Sequence, residues 1–451
     1  MSHTLEPGEN EVALKNFWQA LKGESYYIDN NKSLFMFDNG HHYKFFGLDD
    51  KPYGFYIRDC YDHLLDIALD RDVRNLYITG NPEIGKTFFG YYLLYILAQN
   101  DRTVIYEDYS MINVVILFSQ EKVSYLHSIL DNEEIQSYLY KQEVWYIVDG
   151  KTPTHSTAKT ILICSPCKSH YTAFDKRIPT ILFMPVWSWE EIDECRAKFF
   201  DHLSKERVLE LYQKWGGVPR YILESANNPD TLNELEKAIE LCDVSMLKYI
   251  GGSDSTDIIS HKIVHIYTNL PIEDGARNHD GSNEKIEYID EGVPYTKSTI
   301  KFASDYVGKK VTINLKATII NDLCRNIDAV LDGGKSDPVL GCFFEQIAHR
   351  ILQNGGIFQC RSLDTGVERD INFEKLNSHL FSEIDDIKGG FYCQPLDKTF
   401  PAIDAIILPN ILLQMTTTKK HSIKMIGLKK VQNKLARNGN IRFVFVVPVL
   451  A

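Results

Sequence analysis

A chain of 451 residues, 44% hydrophobic and 12% aromatic, has material for two or three domains with their own cores, which excludes a disordered protein. The net charge of −12 argues against a simple nucleic-acid-binding module, and no apolar run reaches the roughly 20 residues of a membrane span. Nine cysteines, an odd number, fit free thiols in a reducing compartment rather than a disulfide framework, and Cys164-Ser-Pro-Cys167 has no second pair with which to hold zinc.

In chain order, the first ten residues show neither a basic start nor an apolar stretch, so no secretory signal is expected in this numbering. Residues 1–70 read as an N-terminal cap and lead-in helix. Tyr26-Tyr-Ile28 and Leu34-Phe-Met-Phe37 flank Asp29-Asn30-Asn31-Lys32, residues that tolerate the positive φ of a tight turn, so a hairpin is expected. From Tyr56 to Leu69, the spacing of Cys60, Leu64, Leu65 and Ala68 predicts a helix with one buried face.

Residues 71–250 carry the most informative stretch. Leu76 to Thr79 is a short apolar strand, Gly80 is followed after four residues by Gly85-Lys86-Thr87, and Thr87 to Gln99 has helical spacing. This strand, loop and helix fits a phosphate-cradling loop. Gly80 and Gly85 let the backbone bend so that its N–H groups and the positive helix end face a triphosphate. Lys86 would reach the β- and γ-phosphates of ATP or GTP, and Thr87 would hold Mg²⁺.

Short strands at Thr103–Tyr106, Val144–Val148, Ile161–Cys164 and Thr180–Met184 alternate with helical stretches, as a mostly parallel, helix-covered sheet requires. Asp149 ends the second of these and is a candidate Mg²⁺ residue at the carboxyl end of a buried strand. Gly150 follows, where many such hydrolases carry Glu, so slow hydrolysis and a switching role for nucleotide are expected. Ser165, before Pro166, stands where a γ-phosphate sensor or a plain turn residue would sit. In Trp215-Gly216-Gly217-Val218-Pro219-Arg220 a turn opens a helix. Arg220 there is either a lid arginine, as in the ATPases this domain resembles, or a solvent-exposed side chain.

Residues 251–319, with Gly251-Gly252-Ser253 and Asp280-Gly281-Ser282, read as a linker or connector. A second α/β pattern occupies 320–451, with helices at Cys342–Leu352 and Ser422–Arg437 and strands at Phe400–Leu408, Ile411–Thr417 and Ile441–Val447. Asp404 lies within an otherwise apolar strand, where a carboxylate is costly unless paired or bound to metal. Glu345 lies upstream on a helix and Gln414 downstream on the next strand. A turn of Pro409 and Asn410 alone would send Asp404 and Gln414 to opposite faces. A turn of Leu408, Pro409 and Asn410, with Asn410 at positive φ, would set them side by side. Only the second makes a site.

Glu345, Asp404 and Gln414-Met-Thr416 resemble the metal-dependent nuclease core of restriction endonucleases, whose upstream Glu, strand Asp and Glu-or-Gln-x-Lys triplet hold Mg²⁺ for phosphodiester cleavage. Thr416 stands at the lysine position, and Lys419 or Lys420 is the nearest replacement. Between Gln414 and Arg442 there are eight Lys or Arg and no acid. Lys430, Lys434 and Arg437 fall on one helical face opposite Leu428, Val431 and Leu435. With Lys420 they are the candidate contacts to a nucleic-acid backbone, DNA in the first instance.

Together, Ile57-Arg-Asp-Cys-Tyr61, the Gly80 loop, Tyr146-Ile-Val-Asp149-Gly150, Met184-Pro-Val-Trp-Ser-Trp-Glu-Glu191 and Gly216-Gly-Val-Pro-Arg220 resemble the Crinkler effectors of fungi and oomycetes. Retrotransposon hot spot proteins share much of the pattern. The resemblance runs from about Phe17 to the C-terminus. It implies a P-loop NTPase domain with helical lid followed by a restriction-endonuclease-like α/β domain, secreted into a host cell and acting at host nuclear DNA. An NTP-switched DNA-binding protein with an inactive nuclease fold, and a small-molecule kinase, are the competing functions. No membrane partner is expected, and a homo-oligomer is left open.

Overall fold

The computed structural model describes residues 7–23, 26–28, 34–37, 45–47, 54–111, 114–127, 129, 132–166, 174–242, 258–271, 293–314, 338–398, 400, 403–417, 428, 431–432, 435 and 441–448. The chain divides into two compact units, one of residues 1–185 with 295–297 and one of 186–294 with 298–451.

The first unit is built on a seven-stranded sheet in the order Thr180–Phe183, Asn75–Thr79, Lys159–Ile163, Trp145–Asp149, Val104–Asp108, Val114–Phe118, Val123–His127. The first five strands run parallel and the last two antiparallel. Three of the parallel strands, with Val114–Phe118, are buried along nearly their whole length, which is why they read as apolar runs without alternation. The last two strands, Val114–Phe118 buried throughout and Val123–His127 mostly half-buried, were not read from the sequence.

The N-terminal helix Pro7–Lys22 packs Phe17 onto Phe45 and Phe118 and stacks Trp18 on Phe118 at 4.6 Å. Tyr26–Ile28 and Leu34–Phe37 pair antiparallel. The lead-in helix spans Asp59–Leu69 rather than starting at Tyr56, which pairs as a strand with Leu34. Asp59 and Asp62 occupy its first turn, where carboxylates favour a helix N-terminus.

The second unit begins with helices Trp189–Phe199 and Lys205–Trp215. The first is capped by Ser188 and Glu191 in a reciprocal capping box, and Ser204 caps the second. A five-residue π-turn, Arg220–Glu224, and helix Pro229–Leu241 follow. The stretch read as a connector carries two antiparallel strands, Val264–Thr268 and Ser298–Phe302, and helix Asp305–Asn314. Helix Pro338–Asn354 is followed by a hairpin, Gly356–Arg361 with Glu368–Phe373. A five-stranded sheet is ordered Asn377–Phe381, Phe391–Pro395, Ala405–Ile407, Ile411–Met415, Arg442–Val446. Ala348 and Leu352 pack on one face of that sheet, against Ala405 and Leu413. Val431 and Leu435 pack on the other, against Ile406 and Leu412.

His265 is buried in the second unit, with Nδ1 lacking a hydrogen-bond partner. Burial, and then His261, draw its pKa down to about 3. The folded ring is neutral at pH 7, whereas the unfolded ring binds its proton near 6.5. Stability is therefore complete above about pH 6.5 and falls by up to about 1.4 kcal/mol per pH unit below it, until the folded ring titrates. Urea midpoints at pH 7.5 and 4.5 are expected to differ less in His265→Leu than in the wild type; an equal difference contradicts the assignment.

Candidate functional sites

In the first unit, strand Asn75–Thr79 delivers the loop Gly80–Gly85 into helix Lys86–Gln99. The loop needs positive φ at Gly80 (138°), Glu83 (66°) and Gly85 (97°). Space forbids side chains there too, since a Cβ at Gly80 would lie 2.7 Å from the Met184 carbonyl and one at Gly85 2.7 Å from the Tyr61 hydroxyl. The helix opens without a side-chain cap, so its first N–H groups are left to the loop. Lys86 is 8% exposed and donates from Nζ to the Gly80 carbonyl at 3.0 Å and to that of Asn81. Burial pulls its pKa down to about 8, against the raising influence of Asp149.

Asp149 is buried at the carboxyl end of its strand, and Thr87 is half-buried on the first helical turn. Half-buried Ser165 lies two residues past strand Lys159–Ile163, which runs between the loop strand and the Asp149 strand. Gly150 has φ 68°, and a Cβ there would stand 3.0 Å from the Tyr109 side chain. A residue with a side chain would be strained there. Asp108 aligns with Asp149 on the adjacent strand and accepts from Ser110 N at 2.8 Å, a neighbouring carboxylate that the sequence did not single out. Arg220 lies in the second unit, on the π-turn and 3.5 Å from Glu224.

In the second unit, Ile407 pairs with Ile411, so the turn comprises Leu408, Pro409 and Asn410. This is the register that sets Asp404 beside Gln414. The turn contains a cis Leu408–Pro409 peptide, and Asn410 does not take the positive φ expected of it. Nor does Asp404 lie within the strand, which starts at Ala405. Its Oδ2 accepts from Gln414 Nε2 at 2.8 Å and from Met415 N at 2.7 Å.

Glu345, on helix Pro338–Asn354, is the strongest charge acting on Asp404. Burial, then Glu345, raise the Asp404 pKa. Burial would raise Glu345 as well, but Lys398 and then Lys301 hold it below the usual carboxylate range. Lys398 Nζ lies 2.5 Å from Asp305 Oδ1 and 3.5 Å from Glu345 Oε1, and His349 Nε2 is 3.9 Å from the same Glu345 oxygen. His349 was legible, four residues after Glu345 on one helix face. Asp305 and Lys398 were not, because 93 residues separate them and no local pattern links them.

The residues of the second cluster fit Mg²⁺. Gln414 Oε1 is buried with no hydrogen-bond partner, beside one carboxylate and near another, a set of hard oxygen donors. It comprises two carboxylates and an amide; among the described residues, no group of three or more His, Cys, Asp or Glu side chains is placed to hold a metal. Thr416 is buried at the strand end, its N–H donating to Val446 O at 3.0 Å. Lys419, Lys420, Lys430, Lys434 and Arg437 lie outside the described residues. No disulfide joins the described cysteines, and no described helix is long and apolar enough to cross a membrane.

The fold is mixed α/β with several sheets, and each unit gathers polar and charged side chains at strand ends. No family model matches the sequence. The chain is 24% identical over 423 residues to Crinkler effector protein 15 and 26% identical over 424 to Crinkler effector protein 16, both of Phytophthora infestans. Each match covers 88% of this chain, which spans 63% of the length of each relative. The chain is related to the Crinkler effector proteins.

Proposed function

We propose that this chain is a Crinkler-type effector, secreted and directed to a host nucleus, in which a P-loop NTPase domain works with a restriction-endonuclease-like domain on nucleic acid, DNA in the first instance. The observation that carries the nucleotide half is Lys86, buried on a glycine-bent loop close enough to Asp149 to feel its charge at the carboxyl end of a parallel sheet. ATP or GTP phosphates would lie against the Gly80–Thr87 backbone, with Thr87 and Asp149 holding Mg²⁺ and Ser165 contributing from the end of its strand. The effector assignment rests on the printed names of the two relatives.

The nuclease half rests on Asp404, Gln414 and Glu345. Bound Mg²⁺ would polarise a phosphodiester and lower the pKa of a water. Asp404 and Glu345 supply the negative charge, Gln414 an oriented amide oxygen, and Lys398 keeps Glu345 ionised. The alternative, a nucleotide-switched DNA-binding protein with an inactive nuclease fold, is favoured by Thr416 at the lysine position. Plasmid cleavage in Mg²⁺, with and without ATP or GTP and beside Asp404→Ala, tests the two. Cleavage lost in the variant supports the first reading, and salt-sensitive DNA binding without cleavage supports the second.

Mg²⁺ should compete with the Asp404 proton. Because burial and Glu345 hold that proton to higher pH than an ordinary carboxylate, Mg²⁺ affinity is expected to rise with pH, with proton release, and to level off at a higher pH than an ordinary carboxylate would require. Calorimetric titration in buffers of different ionisation heat measures this. An affinity that stays flat as pH falls from 7 toward 4 contradicts Asp404 as a ligand.

A further inference from the structure

The Ile57-Arg-Asp-Cys-Tyr61 motif has no role in the sites described above, yet two of its side chains hold the phosphate loop from behind. Arg58 is 1% exposed and donates from one guanidinium nitrogen to Ile84 O at 3.3 Å and to Pro185 O at 2.8 Å. Tyr61, fully buried, donates its hydroxyl to Gly85 O at 2.6 Å, a carbonyl that also accepts from Phe89 N at 3.1 Å.

A trans peptide is planar, so its C=O and the following N–H point in opposite directions. Fixing the Ile84 carbonyl toward Arg58 therefore turns the Gly85 N–H the other way. Fixing the Gly85 carbonyl toward Tyr61 does the same for the Lys86 N–H. Those two N–H groups belong to the stretch that would face phosphate, and they stand at the unsatisfied N-terminus of helix Lys86–Gln99. The loop also holds the non-glycine Glu83 at positive φ, a conformation that needs outside support to persist. The Pro185 bond ties the same guanidinium to the segment after strand Thr180–Phe183, where Met184 N donates to Thr79 O at 2.7 Å. Both walls of the loop are thereby fixed to one side chain.

We infer that Arg58 and Tyr61 are positioning residues for a nucleotide's phosphate chain: by holding the Ile84 and Gly85 carbonyls outward they aim the Gly85 and Lys86 N–H groups at it. This rests on the nucleotide reading of the same loop. Neither residue touches ligand, so the consequence is a pre-shaped loop rather than an added contact.

The test is ATPγS affinity and amide exchange over residues 80–86 in the full chain, for the wild type, Arg58→Lys and Tyr61→Phe. Arg58→Lys keeps the charge but gives up the planar fork, and Tyr61→Phe keeps the ring packing and removes only the hydroxyl. Expected are losses of affinity of about tenfold to a hundredfold for Arg58→Lys and about fivefold for Tyr61→Phe, with faster loop exchange before ligand is added. A purely structural role would lower the melting temperature and leave the affinity of the folded fraction unchanged. That outcome, or wild-type affinity in both variants, overturns the inference while leaving the nucleotide site standing. If Arg58→Lys does not fold, Tyr61→Phe decides alone. No ATPγS binding by the wild type would overturn the nucleotide reading and the inference with it.

Discussion

Lys86→Ala is expected to weaken ATP or GTP binding by about 2–3 kcal/mol, roughly 30- to 140-fold, while leaving the first unit folded. On the nucleotide reading the ammonium would be a charge-assisted donor to a phosphate, and such a contact is stronger than a neutral hydrogen bond. In the ligand-free chain the same ammonium is buried against the Gly80 and Asn81 carbonyls, and burial lowers its pKa to about 8. Removing a charge so placed relieves its desolvation but withdraws a donor from two carbonyls and a cation from buried Asp149, so the opposing terms should leave the thermal midpoint little changed. Fluorescent-nucleotide titration beside a melting curve separates these terms. Unchanged affinity in the folded variant would remove the phosphate site. Asp149→Asn should keep most of the affinity and lower Mg²⁺-dependent turnover by about a hundredfold, because the amide keeps the shape and loses the charge.

Much of the first unit was legible because its signals are local. A glycine-bent loop, a following helix and the five parallel strands each span 14 residues or fewer, and period and turn chemistry suffice to place them. The strand Val114–Phe118 was not, since a buried run carries no alternation to mark it, and neither was the mostly half-buried Val123–His127 paired beside it. In the second unit, the hydrophobic alternation around Asp404 and Gln414 left two registers, and the three-residue turn decided between them. The ion pair of Asp305 and Lys398 had no such local trace. One residue stood in a stretch read as connector and the other between strands. Burial draws them together, because a buried charge needs a partner wherever in the chain that partner lies. Gly150 adds what the sequence did not show, a φ of 68° at the position where many such hydrolases carry Glu.

Gly217→Ala is expected to destabilise the second unit by about 3 kcal/mol, at the upper end of overpacking costs, because there is no space for a single methyl group. A Cβ at Gly217 would stand 2.0 Å from the Trp187 carbonyl oxygen and 2.8 Å from its nitrogen. That backbone cannot readily retreat. Trp187 N donates to Gly217 O at 2.9 Å, Tyr212 holds the Trp187 carbonyl at 3.3 Å, and the next residue, Ser188, is locked in the capping box. The adjacent Gly216 is confined as well, at φ 68° with a Cβ that would meet the Ala303 carbonyl at 2.2 Å. Both glycines also border a cavity lined by Tyr267, Asp305 and Lys398, so the strain would fall beside the ion pair that steadies Glu345. Gly341→Ala is the matched control. Gly341 lies inside helix Pro338–Asn354, where among the described residues a Cβ meets only Thr417 Oγ1 at 3.8 Å. The same methyl there should stabilise by up to about 1 kcal/mol, since alanine restricts the unfolded chain and favours the helix. Urea unfolding of both variants, followed through the second unit by exchange mass spectrometry, measures the pair. Equal midpoints would show that the Trp187 backbone yields, and the Gly-Gly-Val-Pro-Arg segment would then need another reason for its glycines.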